Sequence, residues 1–554
     1  MSNVILFSLK EQIYTKDERQ NSKCNCYCKF KTENCATILL DFYYFYKKSI
    51  EMRQLTFLFF IGLIISLSSC RTDFATLPSS GKLGFSKDTV YLDTVFTAIS
   101  SSTYTLKVYN HSKSDITIPS IKLGKGLNSK YRMTVDGMQG NQGKSFDNVT
   151  LLAKDSLYIF IETTAKTADA NPTDFLYTDQ IQFDSGTNLQ KVELVTLIQD
   201  AILLYPKRFS DGTTETLPIG DQKIYGFYLN PNDPVNGNEL HFTKQKAYVI
   251  YGYAAVPSGK TAIFDAGVRV YFHANSGLLV GANASINVNG TSSTTTNLEN
   301  EVVFQGDRIS PDFTDIPGQW GSVWLTDGST NNNFNHLTIK NATIGMFIQN
   351  NDGTTVNLKN TQIYNCTNYG ILAQTAKING ENIAINNAGL AGLACTYGGD
   401  YSFTHCTFNN NWNSSSQVAV SINNYFLGAT PEVKDLVAAT FNNCIIYGNY
   451  SNEMIINKKA GTAFNYKFNN CLLKFDNFSN DPIYQFNTDP VHYNSIVLKD
   501  PKFFNVNLNK LNIDATSAAF AKGSADYLIP YDILGNARTL PPDLGAYQNM
   551  PFPK

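Results

Sequence analysis

Acid–base work on a polymer needs ionisable side chains brought together, so their spacing is read first. In the body of the chain the acidic residues are scattered: Asp352, Glu381, Asp400, Glu432, Asp435, Glu453 and Asp476, no two adjacent. Hydrolysis of a glycosidic bond takes two carboxyl groups flanking it. A Ca2+ cage takes several oxygen ligands at one place. This spacing supplies neither. No arginine stands between Arg308 and Arg538, so the body has no arginine base for abstracting a proton beside a carboxylate. The histidines (His111, His241, His273, His336, His405 and His492) are far apart in the chain, and His405 reads as a bend residue. Lys340, Lys359 and Lys377 recur at similar positions and read as solvated. A strained nucleophile turn, a Gly-rich phosphate loop and zinc spacing are all missing.

Ten cysteines fall into two groups with Cys70 alone between them. Cys24, Cys26, Cys28 and Cys35 do not have the paired spacing of a zinc site. No metal and no cofactor is expected. Met52-Arg53-Gln54 is a short basic start, followed by an apolar run over 55–67, shorter than a comfortable membrane span. It ends in Leu67-Ser68-Ser69-Cys70, which resembles the lipobox of bacterial lipoproteins. That resemblance implies cleavage before Cys70 and acylation there, with each buried CH2 contributing roughly 0.8 kcal/mol to anchoring. The expected partner is the membrane and the expected location the outer membrane, on its periplasmic face or the cell surface. On this reading 1–51 is a gene-call extension, 52–70 a signal peptide and 71–81 a tether.

The elements that would position any site are strands. Charged residues make up 16% of the chain and the net charge is −2, so no field favours nucleic acid. Short Val, Ile, Phe, Tyr and Thr runs broken by Asn, Gly and Asp predict β structure throughout. Runs at 88–96, 103–110, 116–123, 156–163 and 192–198 predict a β-sandwich over 82–205, immunoglobulin-like in architecture but without a Cys-Trp-Cys pattern. Residues 206–239, rich in Pro, Gly, Asn and Asp, read as a connector.

From 240 to 500 the pattern becomes a repeat. Six-residue segments starting at Ile339, Leu358, Ile378, Phe403, Phe441 and Phe468 align as apolar, polar, Asn-like, small, any, apolar. Short periods of this type mean a solenoid, and the long step from Phe403 to Phe441 an inserted loop. The alignment puts Asn at the bends. It also puts Cys406, Cys444 and Cys471 in one inward column with Thr361 and Ala342.

Several segments, among them Val256-Pro-Ser-Gly259, Pro317-Gly-Gln-Trp320-Gly321-Ser-Val-Trp324, Asp500-Pro501-Lys-Phe503 and Asp543-Leu-Gly545-Ala-Tyr547, resemble the pectin-lyase-like β-helices of Bacteroidetes lipoproteins. The string DTVFTAISSSTYTLKVYNHS resembles the sandwich module that precedes them. The resemblance implies an all-β chain: an N-terminal immunoglobulin-like β-sandwich, then a right-handed parallel β-helix, with 501–554 capping the last coil. Relatives of this fold include polysaccharide lyases and glycoside hydrolases, which are the alternative reading. Their Asp-Asp and Gly-His-Gly motifs are absent, and Asn487-Thr-Asp489 alone matches. The expected function is a cell-envelope lipoprotein that presents the helix as a binding or structural surface, with a polysaccharide or cell-surface partner. The candidate contacts are Tyr364, Tyr369, Tyr397, Trp412 and Tyr447.

Overall fold

A computed structural model describes residues 76–351, 353–428, 430–476 and 481–552. Cys70, the expected signal segment and 1–51 lie outside the described residues, as does the expected tether up to 75. The remainder of the expected tether is not free. Leu77–Pro78 pairs in parallel with Ile116–Leu123, and Ser79 Oγ donates to Asp184 Oδ2 at 2.6 Å.

The N-terminal unit consists of a six-stranded and a four-stranded sheet enclosing one core. Strict alternation builds it. In Ser156–Thr163 the residues Leu157, Ile159 and Ile161 are buried while Tyr158 and Phe160 face out. In Gln190–Gln199, Val192, Leu194 and Ile198 point inward. Each such side chain contributes roughly 1.5–3 kcal/mol when fully buried. The deep Tyr131 hydroxyl is satisfied, at 2.8 Å from Tyr177 O and 2.9 Å from Thr196 Oγ1.

The strand Gln190–Gln199 leads almost directly into Ala201–Leu204, the first strand of the solenoid. From there the chain visits three sheets in turn, and every rung pairs in parallel with the next, apart from one antiparallel hairpin at the start of the second sheet. The first sheet begins at Ala201–Leu204, the second at Thr216–Ile219 and the third at His241–Phe242. The stack therefore starts about forty residues before the 240 expected from the repeats. Residues 206–239 hold the hairpin Thr216–Ile219 and Gln222–Tyr228, whose second strand pairs with Tyr253–Val256. A turn-rich composition concealed an irregular first coil. The interior is apolar, with stacked rings such as Phe441 on Phe468 at 4.8 Å between centroids.

The register corrects the repeat alignment. Phe334, Leu358, Gly380, Phe403, Phe441 and Phe468 occupy one column. The segment at Ile378 is thus displaced by two residues, and that at Ile339 belongs to the next sheet, paired with Ile363. The bends after the true column are His336, Asn360, Asn382, His405, Asn443 and Asn470, all at φ between 47° and 53°. Asparagine tolerates this left-handed region better than other side chains. Its amide also ties rungs together: Asn382 Nδ2 donates to Asn360 Oδ1 at 3.0 Å, and Asn360 Nδ2 to Asn335 Oδ1 at 3.0 Å. Cys406, Cys444 and Cys471 form an inward column with Thr361 in line, all fully buried. Ala342 is not in it; it bridges to Trp320 at another corner.

The last coil is closed by a plug rather than by the tail. Phe475, Tyr484, Phe486 and Tyr493 pack ring against ring, with Phe475–Tyr484 at 4.6 Å and Phe486–Tyr493 at 4.8 Å. The segment from 501 onward, expected as an end cap, runs back along the outer face of the first sheet instead. Ala546 N donates to Thr407 Oγ1 at 2.9 Å, Asn386 Nδ2 to Val506 O at 2.8 Å, and Asn382 Nδ2 to Tyr531 O at 2.9 Å. The reason lies in that face. Ala384, Ile445 and Leu472 point outward there and would otherwise meet water; beneath the tail they are fully buried.

Candidate functional site

The three outer faces of the solenoid differ in chemistry. The first is covered in its downstream part by the tail and in its upstream part by Phe96 and Ile99 of the N-terminal unit. The third carries a polar column, Asn287, Asn333, Asn357, Asn379, Ser402 and Thr440 in register. The second carries an apolar stripe in register, Leu279, Trp324, Phe347 and Leu372, of which the first is buried and the other three half-buried. A cleft of about 550 Å3 opens where the second sheet turns into the third.

The long step between Phe403 and Phe441 makes this cleft. The extra residues form a hairpin, Tyr425–Leu427 against Pro431–Val433, and its return segment supplies Lys434 and Asp435 to the wall. The opposite wall comes from regular turns: Asn350, Asn351, Thr375, Lys377 and Asp400. Gly399 lines the cleft, directly after Gly398. Gly398 and Gly399 have φ of 73° and 123°, and a Cβ on Gly398 would stand 2.4 Å from Asp435 O. Only glycine allows both the conformation and the close approach.

Each charge at the cleft has a partner, one of them an ion pair. Lys377 Nζ lies 3.6 Å from Asp400 Oδ2, and its backbone N–H donates to Asn351 Oδ1 at 2.9 Å. Asp435 Oδ1 accepts from Ala463 N at 2.8 Å. At the rim the Tyr397 hydroxyl donates to Glu432, which pushes its pKa up to about 12, and Lys434 Nζ sits 4.6 Å from the Tyr397 ring centroid. The arrangement presents amides, hydroxyls and balanced charges around an aromatic edge. It can hydrogen-bond a polyhydroxylated ligand, and the two described carboxylates that line it, Asp400 and Asp435, are each engaged, one by Lys377 and the other by Ala463 N.

Two carboxyl groups among the described residues have clearly raised proton affinity, Glu453 and Glu301, both through burial. Neither reaches a surface. Glu453 is fully buried, and Glu301 is enclosed, accepting from Thr338 Oγ1 at 2.6 Å and Gln362 Nε2 at 3.0 Å. A general acid has to touch its substrate.

The five expected aromatic contacts do not converge. Tyr364 is only 6% exposed, its hydroxyl 3.3 Å from that of Tyr547 beneath the tail, so it is not available to a ligand. Tyr447, on the same face, is half-buried with its ring edge-on to Phe503 at 6.3 Å. Tyr369 packs with Ala391, Ala394 and Val418 on the second sheet. Trp412 lies at the corner after the first sheet, its backbone N–H on Asn410 Oδ1 at 3.2 Å. Tyr397 alone borders the cleft. Of the recurrent lysines, Lys359 pairs with Glu381 at 3.0 Å, Lys377 lines the cleft, and Lys340 is held near Asp315 and Glu301, its pKa lowered by burial. Asn351, Asp400, Lys434 and Asp435 were not singled out from the sequence as contacts; the lengthened repeat step was the signal that marked their place.

No protein-family model and no curated protein matches this chain. Among solved structures, it is similar to the catalytic domain of a GH87 alpha-1,3-glucanase in complex with tetrasaccharides, at 9% identity over 66% of this chain and 80% of that one, TM-score 0.20. A GH87 structure in complex with nigerose gives 9% identity, 68% and 82% coverage, and a TM-score of 0.18. The ASH/PapD-like domain of human CEP192 gives 14% identity over 24% of this chain and 96% of that one, TM-score 0.15. Superpositions this loose transfer neither a fold nor a role, so the fold rests on the chain's own strand pairing.

Proposed function

We propose that the protein is an exported, lipid-anchored envelope protein that binds a glycan in the cleft beside the inserted hairpin. The observation that carries this reading is the cleft itself. It is a concave site whose wall exists only because one coil is lengthened, lined by amides, hydroxyls and the Lys377–Asp400 pair next to the half-buried Tyr397. Lining groups of this kind satisfy sugar hydroxyls, and a few placed polar groups are enough for orientation. Acylation at Cys70 would supply the anchor, with the N-terminal unit as an immunoglobulin-like spacer and the solenoid as a right-handed β-helix. No helix among the described residues is long and apolar enough to cross a membrane.

The test is binding and turnover by the full chain on pectins, alginates, xylan, galactomannan and dextran, with and without Ca2+. Binding without new reducing ends is expected, and Asp400→Asn or Lys434→Ala should weaken it about tenfold. New reducing ends or unsaturated products would replace this reading with a hydrolase or a lyase. For the anchor, Cys70→Ala should move the protein from the membrane to the soluble fraction.

A further inference from the structure

The apolar stripe on the second sheet is partly covered by the chain itself. The hairpin formed by Thr216–Ile219 and Gln222–Tyr228 packs Leu217, Ile219 and Ile224 over Tyr253, Ala255 and Leu279, and this cluster stops at Trp324. From Trp324 onward the stripe is half open, as Trp324, Phe347 and Leu372 in three successive rungs. Trp324 and Phe347 stack at 5.6 Å and 23°, and the Trp324 indole N–H donates to Gln349 Oε1 at 2.7 Å. Beside the stripe runs an uncharged row, Gln349, Gln374 and Thr396, also in register. The residues that follow are Asn350, Thr375 and Tyr397: the first two line the cleft and the third stands at its rim.

We infer that this face is a stacking track along which a neutral polysaccharide chain runs parallel to the solenoid axis and into the cleft. The inference rests on the glycan-binding reading and extends it to a second contact surface and a ligand class. The chemistry selects the occupant. A pyranose ring has an apolar face that lies on indole and phenyl rings, and equatorial hydroxyls that meet amides at its edge. The track offers both side by side, at the repeat of one rung, about 4.8 Å. It carries no charge to pair with an acidic polymer. The chain's own hairpin closes the track at one end, and the cleft opens beside its last two rungs, where Asn350 and Thr375 follow Phe347 and Leu372 by three residues.

The test uses the full protein with xylan, galactomannan, dextran, pectin and alginate, and with the tri- and octasaccharides of the three neutral polymers, measured by calorimetry and by tryptophan emission. Affinity should rise with length. Trp324→Ala should weaken octasaccharide binding about tenfold while leaving the trisaccharide, held in the cleft, unchanged. Trp324→Phe, which keeps a stacking ring, should retain most of the affinity but lose the ligand-induced emission change, because Trp320 is buried and Trp412 lies at another corner. If Asp400→Asn weakens binding at both lengths and Trp324→Ala at neither, the track is wrong and the cleft stands. If Trp324→Ala weakens both lengths equally in a protein of normal stability, the stripe is not an extension of the cleft and the inference fails. If the wild-type protein binds only pectin or alginate, the ligand is acidic and the inference fails while glycan binding survives. If it binds none of these polymers, both fail.

Discussion

Glu453 and His405 are both fully buried, and the fold moves their proton affinities in opposite directions. Burial raises the Glu453 carboxyl to about 7, although Tyr450 N donates to it at 2.8 Å and Gln417 Nε2 at 3.0 Å. Below about pH 4.5 the group is neutral whether the chain is folded or not, and its environment costs nothing. As pH rises toward 7 the unfolded chain ionises first, and stability falls; above 7 the full penalty of roughly 3 kcal/mol applies. Glu453→Gln should therefore match the wild type at pH 4 and be more stable by about that amount at pH 8, as read from urea midpoints. His405 behaves the other way. Burial, then the nearby Arg538, pushes it down to about 2, and Asn443 Nδ2 contacts its Nε2 at 3.1 Å. Its stability is intact above about pH 6.5 and is lost progressively as the unfolded chain takes up a proton below that. His405→Asn, which keeps a residue suited to the left-handed bend, should gain roughly 3 kcal/mol on the wild type at pH 4 relative to pH 8. If each variant's stability difference from the wild type is the same at pH 4 and pH 8, these groups do not set the acid and alkaline limits.

At the scale of the coil, the bend residues hold the corners in place. Asn443 has φ of 53°, contacts His405, donates to Ser524 O at 2.9 Å and accepts from Ser524 N at 2.8 Å. Asn443→Ala combines an unfavoured backbone with lost buried hydrogen bonds and should cost about 3 kcal/mol, seen as a lower denaturation midpoint at unchanged slope. Asn470→Ala, with one bond of 3.5 Å to Lys522 O, should cost less. These bends are what made the solenoid legible: asparagine near an apolar column is visible without a structure. The frame was not legible at one coil, for a steric reason. Gly380 stands where neighbouring rungs carry Leu358 and Phe403, and a Cβ there would meet the Phe403 ring at 2.6 Å. The large ring of one rung uses the space left by its neighbour, so the apolar marker disappears from the sequence and the alignment slides to Ile378. The cleft was legible only as a long repeat step. Its contacts are ordinary Asn, Lys and Asp residues, which become a site because a hairpin folds beside them.

Across the whole molecule, a solenoid is usually a sum of nearest-neighbour interfaces, in which each repeat answers only to the repeats on either side. Here the segment after 501 touches rungs far apart in the stack: Tyr547 meets Tyr364, Ala546 meets Thr407, and Ile513 and Leu544 cluster with Ile445 and Leu472. One strip of chain thus splints the downstream coils together, and none of them can open without shedding it. That changes cooperativity. The splinted coils should melt as one unit, whereas the same chain ended at Lys499 should unfold in a broader transition, expose Ala384, Ile445 and Leu472, and bind a hydrophobic dye before it is half unfolded. A sharp transition in the shortened chain would show that stacking alone makes the coils concerted. With the splint in place, a lesion in one rung is felt by every rung beneath the strip, so this half of the molecule should tolerate substitutions as a compact domain does, by a common threshold, rather than coil by coil.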